Sequence, residues 1–415
     1  MERQAVISVP TRPRVLIVGL GVSGIATALR LHEIGWQPVI VERAAGRRTN
    51  GYFVGLFGAG KSAARRMGIL GGLRDRASGG AHVELDRGGR RSPGMGFRDL
   101  PGTPWLMLRG DIEQAAYAAL PAEVEIRFST VPVAIAQDAG GVDVELRSTT
   151  TGTSVTERFD LVVGADGLRS AVRSLAFGPD RRYLRRLGHM LVAYEFPGVP
   201  EGLARGEGAT MIELGRSVWV FAFEDRDPTI LLSYRSDDID AEFTRPCAER
   251  VREVFGPEPF GATLGSVLAA LESAGDVLFD SAEQVRMDRW SNGRVVLVGD
   301  SAWCATAYAG TGVSAGLAGA DLLATFLQER PDDVGGALRR WEEALRPYIE
   351  RYLRTGLGQR GFFTPGNQRE ARRRKVITRL VTAPVLGPAV LRLSSHTPSA
   401  KLKDTDIVET ITRRR

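Results

Sequence analysis

The chain has 415 residues, 43% hydrophobic and 25% charged, with 55 basic against 49 acidic side chains and a net charge of +6. That length points to two or three domains with ample core and excludes a disordered or fibrous chain. The bases are scattered among the acids with no aromatic-interleaved basic face, which argues against nucleic-acid binding. No apolar run approaches the ~18 residues of a membrane span. Cys247 and Cys304 make neither a metal nor a redox spacing, and His32, His82, His189 and His396 are isolated, so no metal is expected. Residues 1–13 are polar and carry no apolar signal core, so a cytoplasmic protein is expected.

Residues 15–18 are four consecutive aliphatics, the mark of a strand buried on both faces. Gly19, Gly21 and Gly24 follow as G-x-G-x-x-G, and 25–31 has helical apolar spacing. Gly19 permits a tight turn, Gly21 lets the backbone approach a pyrophosphate, and Gly24 lets helix sit close on strand. The helix start at Val22 and Ser23 offers free N–H groups and a positive dipole end. A second strand, 38–42, ends in Glu42, 18 residues after Gly24, where a ribose diol needs an acceptor. Strand, turn, helix and terminal acid together predict a dinucleotide site.

An arginine-rich loop, 43–48, leads into 49–58, where glycines alternate with aromatics around Tyr52. That pattern fits either backbone passing close to something flat or a plain loop and strand. A helix over 59–70, a strand over 81–86 and a turn-rich excursion over 88–96 follow. Arg109 stands where a strand turns into a helix, and Asp111 with Gln114 has the spacing of a capping box. Short antiparallel strands are predicted at 125–128, 133–136, 142–146 and 155–158. Residues 161–164 then deliver Asp166-Gly167 at a strand's carboxyl end, where open α/β sheets bind ligands.

Residues 190–196, 209–214, 217–223 and 230–234 predict a separate, mainly antiparallel sheet, the candidate floor of a substrate pocket. His189, Tyr194, Trp219, Phe221 and Tyr234 lie on it, although an aromatic stripe builds core more often than it lines a ligand wall. Helices near 247–255 and 263–274 return the chain to a third aliphatic strand, which ends in Gly299-Asp300. Trp303 follows, and Gly310, Gly312 and Val313 open a helix running to about 328, whose N-terminus can stabilise anionic charge on a ring. The remainder reads as helices at about 334–357, 369–381 and 384–394. Residues 372–375, Arg-Arg-Arg-Lys, read as a solvated charged turn, and 412–415 as a frayed end.

The ordered trio of G-x-G-x-x-G plus Glu42, Asp166-Gly167 and Gly299-Asp300 resembles the group A flavoprotein monooxygenases, the aromatic hydroxylases of the para-hydroxybenzoate-hydroxylase fold, over about residues 12–360. The resemblance implies an α/β Rossmann-like FAD-binding domain at 12–180 and 283–345, with 80–105 contributing to the substrate side. It implies an inserted antiparallel substrate domain at 181–282 and a C-terminal helical segment at 346–415. FAD would lie with its pyrophosphate at Gly19 to Gly24, its ribose on Glu42, Arg43 and Arg109 lining it, Asp300 on the ribityl chain, and Gly312 with Val313 facing the ring. The implied chemistry is FAD reduction by NADPH or NADH, reaction with O2 to a C4a-hydroperoxyflavin, and oxygen transfer to a small hydrophobic or aromatic substrate by a monomer or homodimer. No side-chain nucleophile is expected, because the cofactor carries the hard chemistry. A second reading keeps the flavin as scaffold for a redox-neutral cyclisation. The family usually reads Gly-Asp-Ala-Ala-His with prolines a few residues on; here Trp303 replaces the histidine, and Thr306 and Ala307 stand where the prolines would be.

Overall fold

The computed structural model describes residues 12–47, 51–100 and 102–413; Arg48, Thr49, Asn50, residues 1–11 and the last two arginines lie outside them. The three aliphatic runs become adjacent strands of one six-stranded sheet, in the order Ser291–Asn292, Val295–Leu297, Leu161–Gly164, Arg14–Val18, Gln37–Val41 and Glu125–Arg127. All neighbours are parallel except the first pair. Parallel pairing buries both faces of the central strands, which is why Val15, Leu16, Ile17 and residues 161–163 are fully enclosed. The helices Val22–Glu33 and Gly312–Glu329 pack together, and the second is lined with Ala315, Gly316, Ala318, Gly319 and Ala320, which allow close approach. The strands Thr130–Gln137, Val142–Ser148 and Ser154–Phe159 form an antiparallel meander.

A seven-stranded sheet runs Leu278–Val285, Leu184–Glu195, Thr229–Arg235, Arg216–Phe221, Gly208–Glu213, His82–Leu85 and Arg91–Pro93. Its pairs are antiparallel except Gly208–Glu213 with His82–Leu85. Residues 82–93, distant in sequence, thus complete the sheet predicted from 190–234. The strand Leu278–Val285 runs through the expected boundary at 282/283, and the 30-residue helix Val334–Phe363 through that at 345/346.

Two expectations need correcting. The strands of this sheet alternate, and Met190, Val192, Tyr194, Val218, Val220, Ile230, Leu232 and Tyr234 point to the face covered by the helices Cys247–Phe255 and Gly261–Ser273. Tyr234 donates to Glu242 (2.7 Å) and belongs to that backing core and not to a pocket wall; the Tyr194 ring donates to the Val267 carbonyl (2.5 Å) in the same core, while the residue itself also borders the cleft described below. Trp303 likewise lies in core, its ring centroid 4.7 Å from Trp290 and 5.8 Å from Trp341.

Pro398–Asp404 and Ile407–Arg413 are helices within the expected C-terminal helical segment, and Ile407 and Ile411 are buried; of the stretch expected to fray, Thr412 and Arg413 are helical and the last two arginines lie outside the described residues. Arg66 joins Asp406 at 2.8 Å to the fully buried Asp321 at 2.5 Å, and Arg30 reaches Asp321 at 2.8 Å. One carboxylate inside the helix Gly312–Glu329 thereby ties three other helices. No single helix among the described residues is long and apolar enough to cross a membrane. Replacing Asp321→Ala strands Arg30 and Arg66 without their shared anion, and chemical unfolding is expected to show a loss of about 3–5 kcal/mol.

Candidate cofactor and substrate site

The first segment makes its turn by bringing backbone against backbone. Gly19 adopts φ +107°, and a Cβ there would lie 2.5 Å from the Ala165 carbonyl oxygen and 3.0 Å from Asp166 Cα. Any side chain on Gly24 would run into the Gly19 carbonyl. The helix Val22–Glu33 therefore starts directly above the strand end, with no side-chain cap and no acid in its first turn. Its free N–H groups and dipole are unanswered by the chain. Glu42 accepts from the Leu20 amide and the Ala44 amide, each at 2.9 Å, which holds the carboxylate across the mouth of the glycine turn.

Asp166 reaches the same place, but its oxygens are engaged by its own chain. Ser170 donates to it at 2.5 Å and the Val172 amide at 3.1 Å, so it braces the first turn of the helix Ala171–Ala176, which Ser170 caps by accepting from the Arg173 amide. Burial raises its pKa above the usual carboxylate range, and these hydrogen bonds oppose the rise. Asp166 thus lines the cleft while serving its own chain.

At the third strand end, Ser23 packs against both Gly299 and Gly316, positions where a Cβ would collide with its hydroxyl. Asp300 is exposed at its surface edge yet ringed by protein; the crowding raises its pKa, and the charge of Arg109 and a hydrogen bond with Cys304 oppose the rise. Arg109 donates to Glu113 at 2.8 Å and is drawn also toward Tyr52 and Asp300, so its pKa rises against burial. A Cβ on Gly21 would sit 3.3 Å from Arg109 Nη2, and one on Gly312 would lie 3.7 Å from Asp300 Oδ1. The three segments converge, with Arg109 between the glycine turn and Asp300. The helix Gly312–Glu329 also begins without a side-chain cap or early acid, and the Thr306 and Thr311 hydroxyls before it are buried without partners among the described residues. Thr306 holds φ +72°, an outlier for a β-branched residue, in the loop that runs to Gly310.

A cleft of about 670 Å³ is lined by Gly19, Gly21, Glu42, Arg43, Tyr52, Arg109, Asp166 and, from the second sheet, Ala193 to Glu195 and Leu278. A cradle that any side chain on Gly21 would crowd, an uncapped helix start and a pinned carboxylate are the features a pyrophosphate and its ribose require. The residues fit FAD.

Of the predicted pocket residues, Trp219 and Phe221 share the face opposite the backing helices, with Leu191, Ala193, Leu231 and Tyr308, and Tyr52 packs against this group. Phe53 stacks on Phe221 at 3.5 Å, and Phe363 lies 4.8 Å from Trp219. His189 meets Tyr308 edge-on at 6.0 Å; its Nδ1 donates to the Leu187 carbonyl (2.8 Å) if that nitrogen carries the proton, and burial lowers its pKa. Tyr308, Phe53 and Phe363 were not singled out from sequence. Only the register of the sheet and the fold of the loop before Gly310 bring them here.

The family model described as "FAD binding domain" matches residues 12–332. The chain belongs to the FAD-dependent monooxygenases. This flavoprotein is 30% identical over 362 residues to the uncharacterized protein Rv1260 of Mycobacterium tuberculosis, covering 81% of this chain and 91% of that one. It is 27% identical over 360 residues to a flavin-dependent monooxygenase of Legionella longbeachae, covering 83% and 88%. The fold matches the crystal structure of tetracycline destructase Tet(51) with a TM-score of 0.74 at 24% identity, over 93% of this chain and 98% of that one. It also matches Klebsiella pneumoniae HpxO complexed with FAD and uric acid, with a TM-score of 0.69 at 16% identity, over 96% and 97%. The para-hydroxybenzoate-hydroxylase-type assignment made from three short motifs stands.

Two outcomes follow for the flavoprotein. Gly24→Ala, by forcing the turn open, is expected to yield folded protein with almost no 450 nm flavin absorbance, checked against unchanged far-ultraviolet circular dichroism. Thr306→Gly relieves the left-handed backbone and is expected to raise stability by about 1–2 kcal/mol, read from chemical unfolding.

Proposed function

We propose that this monooxygenase uses NADPH or NADH and O2, in the cytoplasm, to hydroxylate or epoxidise a hydrophobic or aromatic natural-product intermediate. Residues 12–180 and 283–345 would serve as the cofactor unit and 181–282, with 80–105, as the substrate unit. The observation that carries the reading is the aromatic wall of Trp219, Phe221, Phe53 and Phe363, which meets the loop before Gly310 through Tyr308. Bound FAD would supply electron transfer from the nicotinamide and the activation of O2 for transfer to the substrate.

The chain's own residues bind, orient and exclude water. The start of the helix Val22–Glu33 offers its amides to the pyrophosphate, with Arg43 and Arg109 adding positive charge. Glu42 keeps lone pairs free for the adenosine ribose beside the two amides it already accepts. Asp300 would hold the ribityl chain, and Gly310, Gly312 and Val313 would leave room for the ring. The start of the helix Gly312–Glu329 favours negative charge on the ring edge nearest it. The apolar face of the second sheet keeps water from the reacting atoms. The relatives named as monooxygenases support this reading, and the neighbours titled for tetracycline destruction and for a uric acid complex are consistent with compact cyclic substrates.

Purified protein is expected to be yellow, and NADPH or NADH without oxygen to bleach its 450 nm band, with colour restored on admitting air. Persistence of the band with both nicotinamides, in protein fully loaded with FAD, would overturn the proposal.

A further inference from the structure

Arg374, on the helix Gln368–Thr382, belongs to the basic run that reads as solvated in the sequence, yet its side chain is only 3% exposed. Its Nη1 donates to Glu84 Oε2 at 2.8 Å. Its Nε and Nη2 are shut off from solvent and find no partner among the described residues. That pair of nitrogens forms the straight edge with which a guanidinium grips a carboxylate through two parallel bonds. Other arginines of this chain use the same edge in that way. Arg76 holds Asp111 with Nε and Nη2 at 2.7 and 2.9 Å, and Arg250 holds Glu242 at 2.7 and 2.9 Å. In Arg374 the edge is buried and idle, and a guanidinium cannot shed its proton to escape the cost.

The surroundings define what could fill it. The Arg374 Cζ lies 5.8 Å from the Trp219 ring and 5.3 Å from the Phe362 ring. Thr210 stands opposite Trp219 in register and Glu84 opposite Thr210, while Thr378 follows Arg374 by one helical turn. Trp219 Nε1 and the hydroxyls of Thr210 and Thr378 are also buried without partners among the described residues. His82, beside this group, is held neutral at ordinary pH, its pKa lowered to about 4 by burial and by the charge of Arg374. The unpaired groups are mainly donors, so their complement is an acceptor. From Arg374 the rings lead back toward the cofactor loop: Trp219 to Phe363 at 4.8 Å, and Phe363 to Tyr308 at 5.5 Å.

We propose that the free edge of Arg374 anchors a planar oxyanion, a carboxylate or the enolate that a 1,3-dicarbonyl gives on releasing its enol proton to solvent, at the end of the substrate remote from Tyr308. The inference rests on the monooxygenase reading above and narrows its substrate to an aromatic or apolar body carrying such a group. Phe362 and Phe363, half-buried at the end of the helix Val334–Phe363, would part to admit it. Glu84 is then the strut that holds the guanidinium flat, and the two rings confine the oxyanion to its plane.

The test is calorimetric titration of FAD-loaded protein with 2-naphthoate, with the uncharged 2-naphthamide, and with 2-acetyl-1-tetralone as an enolisable diketone. One of the two oxyanion sources is expected to bind about tenfold or more tightly than the amide, and whichever does so identifies the source. Arg374→Met is expected to abolish that preference while leaving the amide's affinity within about twofold, and Arg374→Lys, which keeps the charge without the fork, to lose most of it. Thermal unfolding and flavin content verify that each variant is folded, and the wild-type comparison stands without either variant. Equal binding of all three probes, binding of none, or a preference that survives Arg374→Met would overturn the proposal. A preserved oxyanion preference in protein that no nicotinamide can bleach would instead sink the monooxygenase reading and leave the anchor in place.

Discussion

The cofactor half of this protein depends on contacts that only hydrogen atoms can occupy. Gly19 lies against Ala165 and Asp166, Gly24 against Gly19, and Ser23 fits between Gly299 and Gly316. Those contacts bring the carboxyl ends of three parallel strands together, so that Glu42 and Arg109 border one cleft and Arg109 is drawn in turn toward Asp300. Side chains at these positions would wedge the strand ends apart, and the acid and arginine positions would no longer address a common ligand. The helices that follow the first and third strands inherit their aim from the same contacts, because each begins at the residue where its turn closes.

The second sheet works by alternation. Successive residues of a strand face opposite sides, so one strand supplies both the backing core and the wall above it. Val218 and Val220 pack on helices while Trp219 and Phe221 look toward Tyr308, and Tyr194 and Tyr234 fall on the helix side with the valines. The wall is built almost wholly of rings and aliphatics, interrupted by polar groups at its far end, where Glu84, Thr210 and Arg374 meet.

Much of the cofactor site was legible because its signals are local. A four-residue aliphatic run, a glycine at the turn and an acid at the end of the next strand all lie within a few dozen residues, and each has a physical cause independent of the rest of the chain. Trp303 was misjudged because a tryptophan after Gly-Asp carries no mark of which side of the short helix Asp300–Trp303 it will occupy; the fold turns it toward Trp290 and Trp341. That Tyr234 falls in the backing core, and that the Tyr194 ring turns into it from the cleft's edge, was not legible because a stripe of aromatics does not reveal its phase relative to the covering helices. Arg374 was hidden for a different reason: its partner is 290 residues away, and within a run of four bases only helical phase separates the buried member from its solvated neighbours. The closing helices could be expected only as an undivided helical segment, because their few apolar residues are meaningful only against Arg66 and the helix Gly312–Glu329.

The two uncapped helix starts bear on how the polypeptide fares before it meets its flavin. With no serine, aspartate or early acid to satisfy them, those amides depend on an outside anion, so the bare chain folds with an electrostatic debt at its centre. Ligand linkage makes the size of the remedy a matter of supply: free flavin at a hundred times its dissociation constant adds about 2.7 kcal/mol to the folded state. Cells short of riboflavin would accordingly accumulate less of this protein at an unchanged rate of synthesis, the deficit arising in proteolysis of the empty form.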